Sequence, residues 1–406
     1  MQYDIFFSIS QTPVDGITPS EAVMFRNFFD QVKAADRLGY GTAWIAESHL
    51  SSEVQKTHRQ PVIPHWKGEV GLNTDIFQLA HKVFACTTRI EVGSAIMNIL
   101  CNGGPVAAAE RTRAFLALHG LDAQEQRRLH IGFAAGRFDF MNEVYGIKPR
   151  NPVEAACWRV VKGLAFREAA TIYLRLVRGD TFSSEEVPRS ALHAGLFRSP
   201  EHWEEVRALA GGVDEIEVEP FFTFQQTRIV PQDVRRELLT LTIGSHDPAM
   251  QDYANTLQPV SVFNLSITQP DVIEATHTRM RETYHKDGGD WERGNMPRTT
   301  FVFLNADPSL TAEEQDLAAR EEAHKALGAY WTALQGTLDP SRIEKAADNA
   351  LIGGPATMAQ QIKERFHKDD RLMLWFDFFN HDSARVIQNM EDFMAHVVPA
   401  LDGRVS

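Results

Sequence analysis

The chain has 406 residues, 43% apolar and 23% charged, and its 41 basic and 54 acidic residues give a net charge of -13. This is an ordinary globular composition with enough length for a large core. The acidic balance argues against a nucleic-acid partner. No apolar run is long enough to span a bilayer, and no basic segment leads into one at the start. The three cysteines lack metal-ligand spacing, so we expect no metal and a reducing, cytoplasmic compartment.

Strand-like and helix-like segments alternate along the chain. Eight apolar runs predict strands at about residues 3–9, 42–47, 90–96, 129–136, 238–243, 260–265, 299–304 and 371–378, and a helical segment follows nearly all of them. Alternation implies parallel pairing, and eight strands close a (β/α)8 barrel. A doubly wound open sheet is the alternative, although no switch-point motif is present. We therefore expect an α/β fold, a TIM barrel with insertions, as one domain over residues 1–406.

Two segments interrupt this alternation of strands and helices. Residues 51–73 form a long loop with apolar content, which is typical of a lid that packs over a site. Residues 181–236 are rich in serine, glutamate and arginine before an aromatic run, and we interpret them as an insertion with a small strand pair.

Polar residues follow the second predicted strand directly, as Glu47, Ser48 and His49. In barrels, the carboxyl ends of the strands carry the chemistry. Histidine is the side chain most easily tuned near neutral pH, so an acid/base role is one reading. The alternative is a strand end whose polar groups satisfy local hydrogen bonds.

Glycine-containing turns follow two other strands. Gly244, Ser245 and His246 lead into a helix, where free amides can bind a phosphate. Ser245 or Asp247 acting as a simple helix cap is the alternative. The segment from Gly132 to Gly136 lacks the full dinucleotide fingerprint. The aromatic residues at 375–379 either line an apolar pocket or pack the core. No nucleophile elbow, P-loop or metal-binding histidine pair is present.

Several of these segments resemble one family, the bacterial luciferase-like flavin monooxygenases. The run from Trp44 to Leu50 resembles the family's Trp-x-x-Glu-His-His-Phe strand end. Residues 92–110, 136–146, 352–357 and 397–401 resemble its third strand and helix, fourth loop, late turn and closing helix, in the right order. The similarity covers nearly the whole chain outside residues 181–236.

The resemblance implies a (β/α)8 barrel that binds reduced flavin at the carboxyl ends of its strands. It implies a cis peptide bond between Ala95 and Ile96 beneath the flavin ring. The cofactor-binding residues that we expect lie in three segments: Ala95, Ile96 and Asn98; Ala134, Ala135, Gly136 and Arg137; and Gly244, Ser245 and His246 at the phosphate. The catalytic residues that we expect are Glu47, Ser48 and His49, of which His49 matches the second family histidine.

Two residues depart from the family pattern. Ser48 replaces the first histidine, and Ala135 replaces an arginine that contacts the flavin phosphate. Arg137, His246 and Lys162 are the open choices for the missing charge. These changes argue against light emission from an aldehyde.

The function that we expect by resemblance is a monooxygenase that takes FMNH2 from a separate flavin reductase. O2 would form a flavin C4a-hydroperoxide, the oxygen donor to a small organic substrate. An F420-dependent oxidoreductase and a non-catalytic flavin-binding barrel are the alternatives. We also expect a homodimer by resemblance, with contacts through the helices after the second and third strands.

Overall fold

The computed structural model describes residues 1–265, 267–337 and 340–401, so the end of the expected domain, 402–406, lies outside the described residues. The strands in these ranges are β1 (Gln2–Phe7), β2 (Thr42–Ile45), β3 (Glu91–Asn98), β4 (Leu129–Ala134), β5 (Ser190–Leu192), β6 (Ile216–Val218), β7 (Leu239–Ile243), β8 (Ser261–Val262), β9 (Arg298–Leu304), β10 (Leu351–Gly353) and β11 (Arg371–Trp375).

The α-helices are α1 (Glu21–Leu38), α2 (Ser52–Gln55), α3 (Ile76–Cys86), α4 (Gly104–His119), α5 (Phe140–Glu143), α6 (Pro152–Ala156), α7 (Trp158–Arg178), α8 (Pro200–Leu209), α9 (Pro248–Asn255), α10 (Pro270–Thr283), α11 (Ala312–Leu334), α12 (Pro340–Asp348), α13 (Pro355–Arg365), α14 (Ser383–Asp392) and α15 (Val398–Leu401). A π-helical turn, Phe393–Val397, joins the last two. Within the described ranges, no helix is long and apolar enough to cross a membrane.

Eight parallel strands form the barrel, in the order β9, β11, β1, β2, β3, β4, β7 and β8. The ring closes between β8 and β9 through one parallel bridge, Asn264 to Arg298, beside which the Thr299 amide donates to the Asn264 carbonyl at 3.1 Å. The predicted (β/α)8 fold is therefore confirmed. A ninth parallel strand, β10, pairs with the last three residues of β9 and was not predicted.

The strands divide the apolar residues between two layers, because successive side chains point to opposite faces. Phe6, Trp44, Phe263 and Met373 form a cluster inside the barrel, and Ala95, Ile96 and Trp375 pack against it. Neighbouring positions such as Leu372 and Leu374 belong instead to the main core between strands and helices. The interior cluster therefore places the carboxyl end of β3 opposite that of β11.

Some predicted bounds were wrong. The helical region from residue 151 to 177 breaks at Cys157, whose φ of -130° is not helical, and α7 begins directly after it. The last strand ends at Trp375 rather than at residue 378. The loop at 51–73 includes the short helix α2. The segment 181–236 does contain a two-stranded antiparallel pair, β5 with β6.

A buried ion pair fixes the amino-terminal end of the barrel beside the closing bridge. The Asp370 carboxylate, 1% exposed, accepts hydrogen bonds from Arg298 Nη1 and Arg293 Nε, each at 2.6 Å. Burial alone would raise the pKa of Asp370, but the hydrogen bond from Arg293 and the two positive charges lower it. The start of β9 is thereby tied to the start of β11.

Candidate active site

The three predicted cofactor-binding segments meet at the carboxyl edge of the barrel. Ala95, Ile96, Ala134, Ala135 and Gly244 are each partly exposed, and we call these five residues the apolar platform. A Cβ atom on Gly244 would stand 2.3 Å from Ile96 Cδ1 and 3.2 Å from Ala134 Cβ. The absence of a side chain at residue 244 therefore lets its loop lie directly against β3 and β4. Ile96, Ala134 and the backbone of Gly244 therefore lie together at the carboxyl ends of these strands.

The peptide bond between Ala95 and Ile96 is cis, as the resemblance implied. The pairing of β3 with β4 shifts register at the same place, between Ser94 and Met97. Both residues of the cis bond are partly exposed, while their neighbours Ser94 and Met97 are buried.

Asn98 connects the ends of β3 and β4. Its side-chain Nδ2 donates to Asn142 Oδ1 at 2.7 Å, and Asn142 Nδ2 donates to the Ala135 carbonyl at 3.0 Å. Gly136 has a φ of +72°, and a Cβ there would stand 2.1 Å from Asn98 Nδ2. Asn98 therefore shapes the platform through protein contacts, and its partner Asn142 was missed by the sequence analysis.

Glu47 and His49 form a buried pair beside this edge. His49 Nε2 lies 3.0 Å from Glu47 Oε1, and the side chains are 6% and 3% exposed respectively. The same Glu47 oxygen accepts a hydrogen bond from the Asn98 amide at 3.3 Å. Glu47 therefore orients the imidazole and leaves His49 Nδ1 as the ring atom available for another partner.

Ser48 lies apart from that pair, against the end of the 51–73 loop. Its amide donates to the Asn73 carbonyl at 3.0 Å, and a Cβ on Gly71 would stand 3.0 Å from Ser48 Cβ. Close by, burial and the charge of Glu47 raise the pKa of the Cys101 thiol to about 12. The structure thus joins Glu47 with His49 and Asn98, and Ser48 with the loop.

Three basic residues were open choices for an anion contact. Lys162 Nζ lies 2.9 Å from the Gly136 carbonyl and 2.5 Å from Asp139 Oδ1, so α7 brings it to the platform. The Arg137 guanidinium lies 5.1 Å from the centroid of the Phe138 ring. His246 is exposed. Only the folded structure shows that Lys162 reaches the β4 loop.

The helix that follows Gly244 and Ser245 already carries an acidic cap. Asp247 Oδ1 accepts from the Ala249 amide at 3.0 Å, and the Asp247 amide donates to Ser245 Oγ at 3.2 Å. The capping interpretation of Asp247 is therefore confirmed. Because its carboxylate already occupies the start of α9, an anion at this loop would need a cation beside it.

Aromatic rings form the wall opposite the platform. The Trp375 ring lies 4.4 Å from Phe6, 5.0 Å from Phe301 and 5.0 Å from Phe378, measured between centroids. Tyr330 of α11 extends this wall, 5.1 Å from Phe378. Phe378 is buried core, as the packing interpretation of the 375–379 aromatics predicts, and Trp375 is partly exposed.

The 51–73 loop packs over the same edge. Ile63 and Trp66 are buried against Phe138, Met141 and Leu334. Glu69 anchors the loop, because its carboxylate accepts from Ser51 Oγ, the Ser52 amide and Ser52 Oγ at 2.5, 2.7 and 2.9 Å. Burial raises the pKa of Glu69, but these hydrogen bonds outweigh it and lower the pKa.

The barrel carries the apolar platform and the buried Glu47–His49 pair at the carboxyl ends of its strands. Enzymes with this fold have their active sites at that edge. The chain belongs to the luciferase-like monooxygenase family, whose profile matches residues 1–369. Membership of that family supports an oxidoreductase activity. No curated protein matched the chain.

Solved structures share the fold at low sequence identity. The monooxygenase RslO1 from Streptomyces bottropensis gives a TM-score of 0.66 at 15% identity, covering 98% of this chain and 99% of that one. The oxygenating constituent of 3,6-diketocamphane monooxygenase from Pseudomonas putida, solved with FMN, gives 0.58 at 14% over 98% of both chains. The coenzyme F420-dependent tetrahydromethanopterin reductase from Methanopyrus kandleri gives 0.51 at 13%, over 98% and 99%. The neighbours thus include both an FMN protein and an F420 enzyme.

Proposed function

We propose that the chain is a monooxygenase that uses reduced FMN and O2 to oxidise a small organic substrate. The observation that carries this proposal is the apolar platform, which converges at the carboxyl edge in a chain of the luciferase-like monooxygenase family. The platform fits the flat ring system of a flavin, because its residues present only backbone and small or apolar side chains. When bound, reduced flavin would supply the activation of O2.

The chain's own residues would bind the cofactor and control access to it. Ala95, Ile96, Ala134 and Gly244 would contact the ring, with Ala135 and Asn98 supporting it. At the phosphate we propose Ser245 and His246, with Arg137, Gly136 and a Lys162 released from Asp139 on the same side. The wall of aromatic rings and the 51–73 loop would exclude water from the reacting atoms.

His49 would move a proton at Nδ1. Its Nε2 is engaged by Glu47, which fixes the orientation of the ring. Ser48 would hydrogen-bond a bound oxygen species or the substrate from the other side of the strand end.

The test is titration of the protein with reduced FMN under argon, followed by mixing with isotopically labelled O2. A matched pair of variants introduces tryptophan on and away from the platform: Ala134→Trp on the platform, and Ala123→Trp in the exposed turn between α4 and β4. We expect about a hundredfold loss of reduced-FMN affinity in the first variant and none in the second, because one large side chain fills the ring position.

The outcomes separate the alternatives. Labelled oxygen in an organic product supports the monooxygenase. Binding and reduction of F420, with no affinity for reduced FMN, would replace it by hydride transfer on the same barrel. Tight flavin binding with no turnover on any substrate tested would indicate a non-catalytic flavin-binding barrel.

We further propose a homodimer and a separate flavin reductase as partners. The expected dimer contact lies on α3 and α4, where Leu118 is 60% exposed and α3 borders an open groove of about 690 Å³ toward α1. Sedimentation of the wild type and of Leu118→Asp tests this contact, since a charge at a buried interface would shift the dimer toward monomer. A monomeric wild type would refute it.

A further inference from the structure

The barrel encloses a second cavity, of about 140 Å³, at the amino-terminal ends of its strands. Its lining includes residues from the starts of three strands, Gln2 of β1, Ser261 of β8 and Arg371 of β11. The apolar interior cluster packs against the platform residue Ile96, and Trp44 of the same cluster lines the cavity. The cavity is therefore separate from the candidate active site at the carboxyl edge.

Two hydroxyl groups without protein partners line this cavity. Thr240 and Thr242 are two positions apart on β7, so their side chains point to the same face of the sheet. Thr242 is only 1% exposed. Among the residues that the structure describes, neither hydroxyl forms a hydrogen bond, whereas the neighbouring Ser261 bonds Tyr284. Because a hydroxyl both donates and accepts, Thr240 and Thr242 can bind either kind of group in the cavity.

His130, which also lines the cavity, contributes an acceptor. Its Nε2 lies 2.6 Å from Glu91 Oε2. Burial alone would raise the pKa of Glu91, but hydrogen bonds from His130 and Arg128 lower it to about 2, so this carboxylate is ionised and accepts the Nε2 hydrogen. Burial lowers the pKa of His130, so its Nδ1 carries a lone pair. Within the described part of the chain, this buried Nδ1 has no hydrogen-bond partner, and such an atom requires a donor.

The charged groups around the cavity are largely paired. Arg371 Nε lies 2.5 Å from Asp4 Oδ2, and Arg128 Nε lies 2.9 Å from Glu91 Oε1. In both guanidinium groups, Nη1 is left without a partner among the described residues and can donate. Arg128 and Glu292 are exposed, so they mark the mouth of the cavity, where water solvates Glu292. The paired charges disfavour a buried ion, because an ion without a counter-charge is costly to desolvate.

We propose that this cavity binds a small neutral polyol that carries hydroxyl groups on adjacent carbon atoms. Such a molecule donates and accepts at neighbouring atoms, which matches the acceptor of His130 and the hydroxyls of Thr240 and Thr242. A protein cavity of about 150 Å³ holds benzene, which has as many non-hydrogen atoms as glycerol. The site does not depend on the proposed monooxygenase activity, because it lies at the other end of the barrel.

The experiment is saturation-transfer NMR on the full chain, a method suited to weak binding. It compares 1,2-propanediol, 1,3-propanediol and 1-propanol, which share a carbon count and differ in the number and spacing of hydroxyls. We expect 1,2-propanediol to bind at least about fivefold more tightly than either of the others, because only its hydroxyls are adjacent. Saturation with reduced FMN should leave this affinity within about twofold, since the interior cluster separates the two sites.

Threonine variants locate the site. Thr242→Val keeps the shape of the buried side chain and should lower 1,2-propanediol affinity about fivefold, while 1-propanol affinity stays within about twofold. Thr240→Val, at a partly exposed position, provides the same test if the buried substitution impairs folding. Thr278→Val, on the exposed face of α10, is the control and should change neither affinity.

Three results would overturn the proposal. Equal affinities for the three alcohols, or no binding up to about 0.1 M, would show that the cavity holds only water. A preference for 1,2-propanediol that survives both Thr242→Val and Thr240→Val would place the diol elsewhere. Displacement of the diol by reduced FMN would place it at the carboxyl edge of the barrel.

Discussion

Replacing Asp370 by asparagine should weaken the barrel where it closes. Asparagine keeps the shape of the side chain but removes the charge that Arg293 and Arg298 share. Arg293 retains Glu274, whose carboxylate it contacts at 2.7 and 2.9 Å. Among the described residues, Arg298 forms an ion pair with Asp370 alone, and its side chain is 12% exposed. The free energy of unfolding should therefore fall by about 3 kcal/mol, the lower end of the range for a buried charge that loses its partner.

Urea unfolding at neutral pH measures this difference, and the adjacent residue supplies the control. Asp369 is 61% exposed and lies 3.5 Å from His367, so Asp369→Asn should change the free energy of unfolding by less than about 0.5 kcal/mol. Equal stability of the two variants would show that the Asp370 network is not needed to stabilise β9 beside β11.

The pH dependence gives a second check on the same reasoning. The folded pKa of Asp370 is lowered, so its contribution is present above the unfolded value of about 3.9 and is lost as the pH falls through the folded value. The difference between wild type and Asp370→Asn should be constant from about pH 5 to 8 and should narrow below about pH 4. A stability difference between wild type and Asp370→Asn that grows as the pH falls would contradict a lowered pKa of Asp370.

Three further changes probe the site. Glu69→Gln should increase amide hydrogen exchange in residues 51–68 about tenfold while global unfolding changes little, because it weakens the anchor of the loop; unchanged exchange would show that packing alone holds it. Gly244→Ala should lower reduced-FMN affinity about tenfold, because its Cβ would meet Ile96 at 2.3 Å; fluorescence titration measures this, and wild-type affinity would place the flavin elsewhere. His49→Ala should reduce turnover about a hundredfold with flavin binding intact, and unchanged turnover and coupling would remove its catalytic role.

The sequence was sufficient for the barrel because its strands carry long apolar runs. It was insufficient where a short element depends on a distant partner. Leu351–Gly353 is three residues before a Gly-Pro turn and becomes a strand only because β9 offers an edge. Residue 157 is a cysteine rather than a proline or glycine, so the sequence does not indicate the break between α6 and α7.

The sequence was likewise sufficient for only part of the candidate site. The platform segments could be located by their position after strands and by resemblance. The direction of each side chain could not: Glu47 reaches the Asn98 amide, and Lys162 reaches the β4 loop from a helix about 25 residues later.

The buried Cys101 thiol beside Glu47 bears on how the protein withstands oxidation. Reduced flavin that reacts with O2 without a substrate releases hydrogen peroxide, and peroxide attacks the thiolate rather than the thiol. With a pKa of about 12, Cys101 stays protonated in the very place where peroxide would be formed. Cys86, on α3, is the exposed one of the three cysteines. The site would thus tolerate its own by-product.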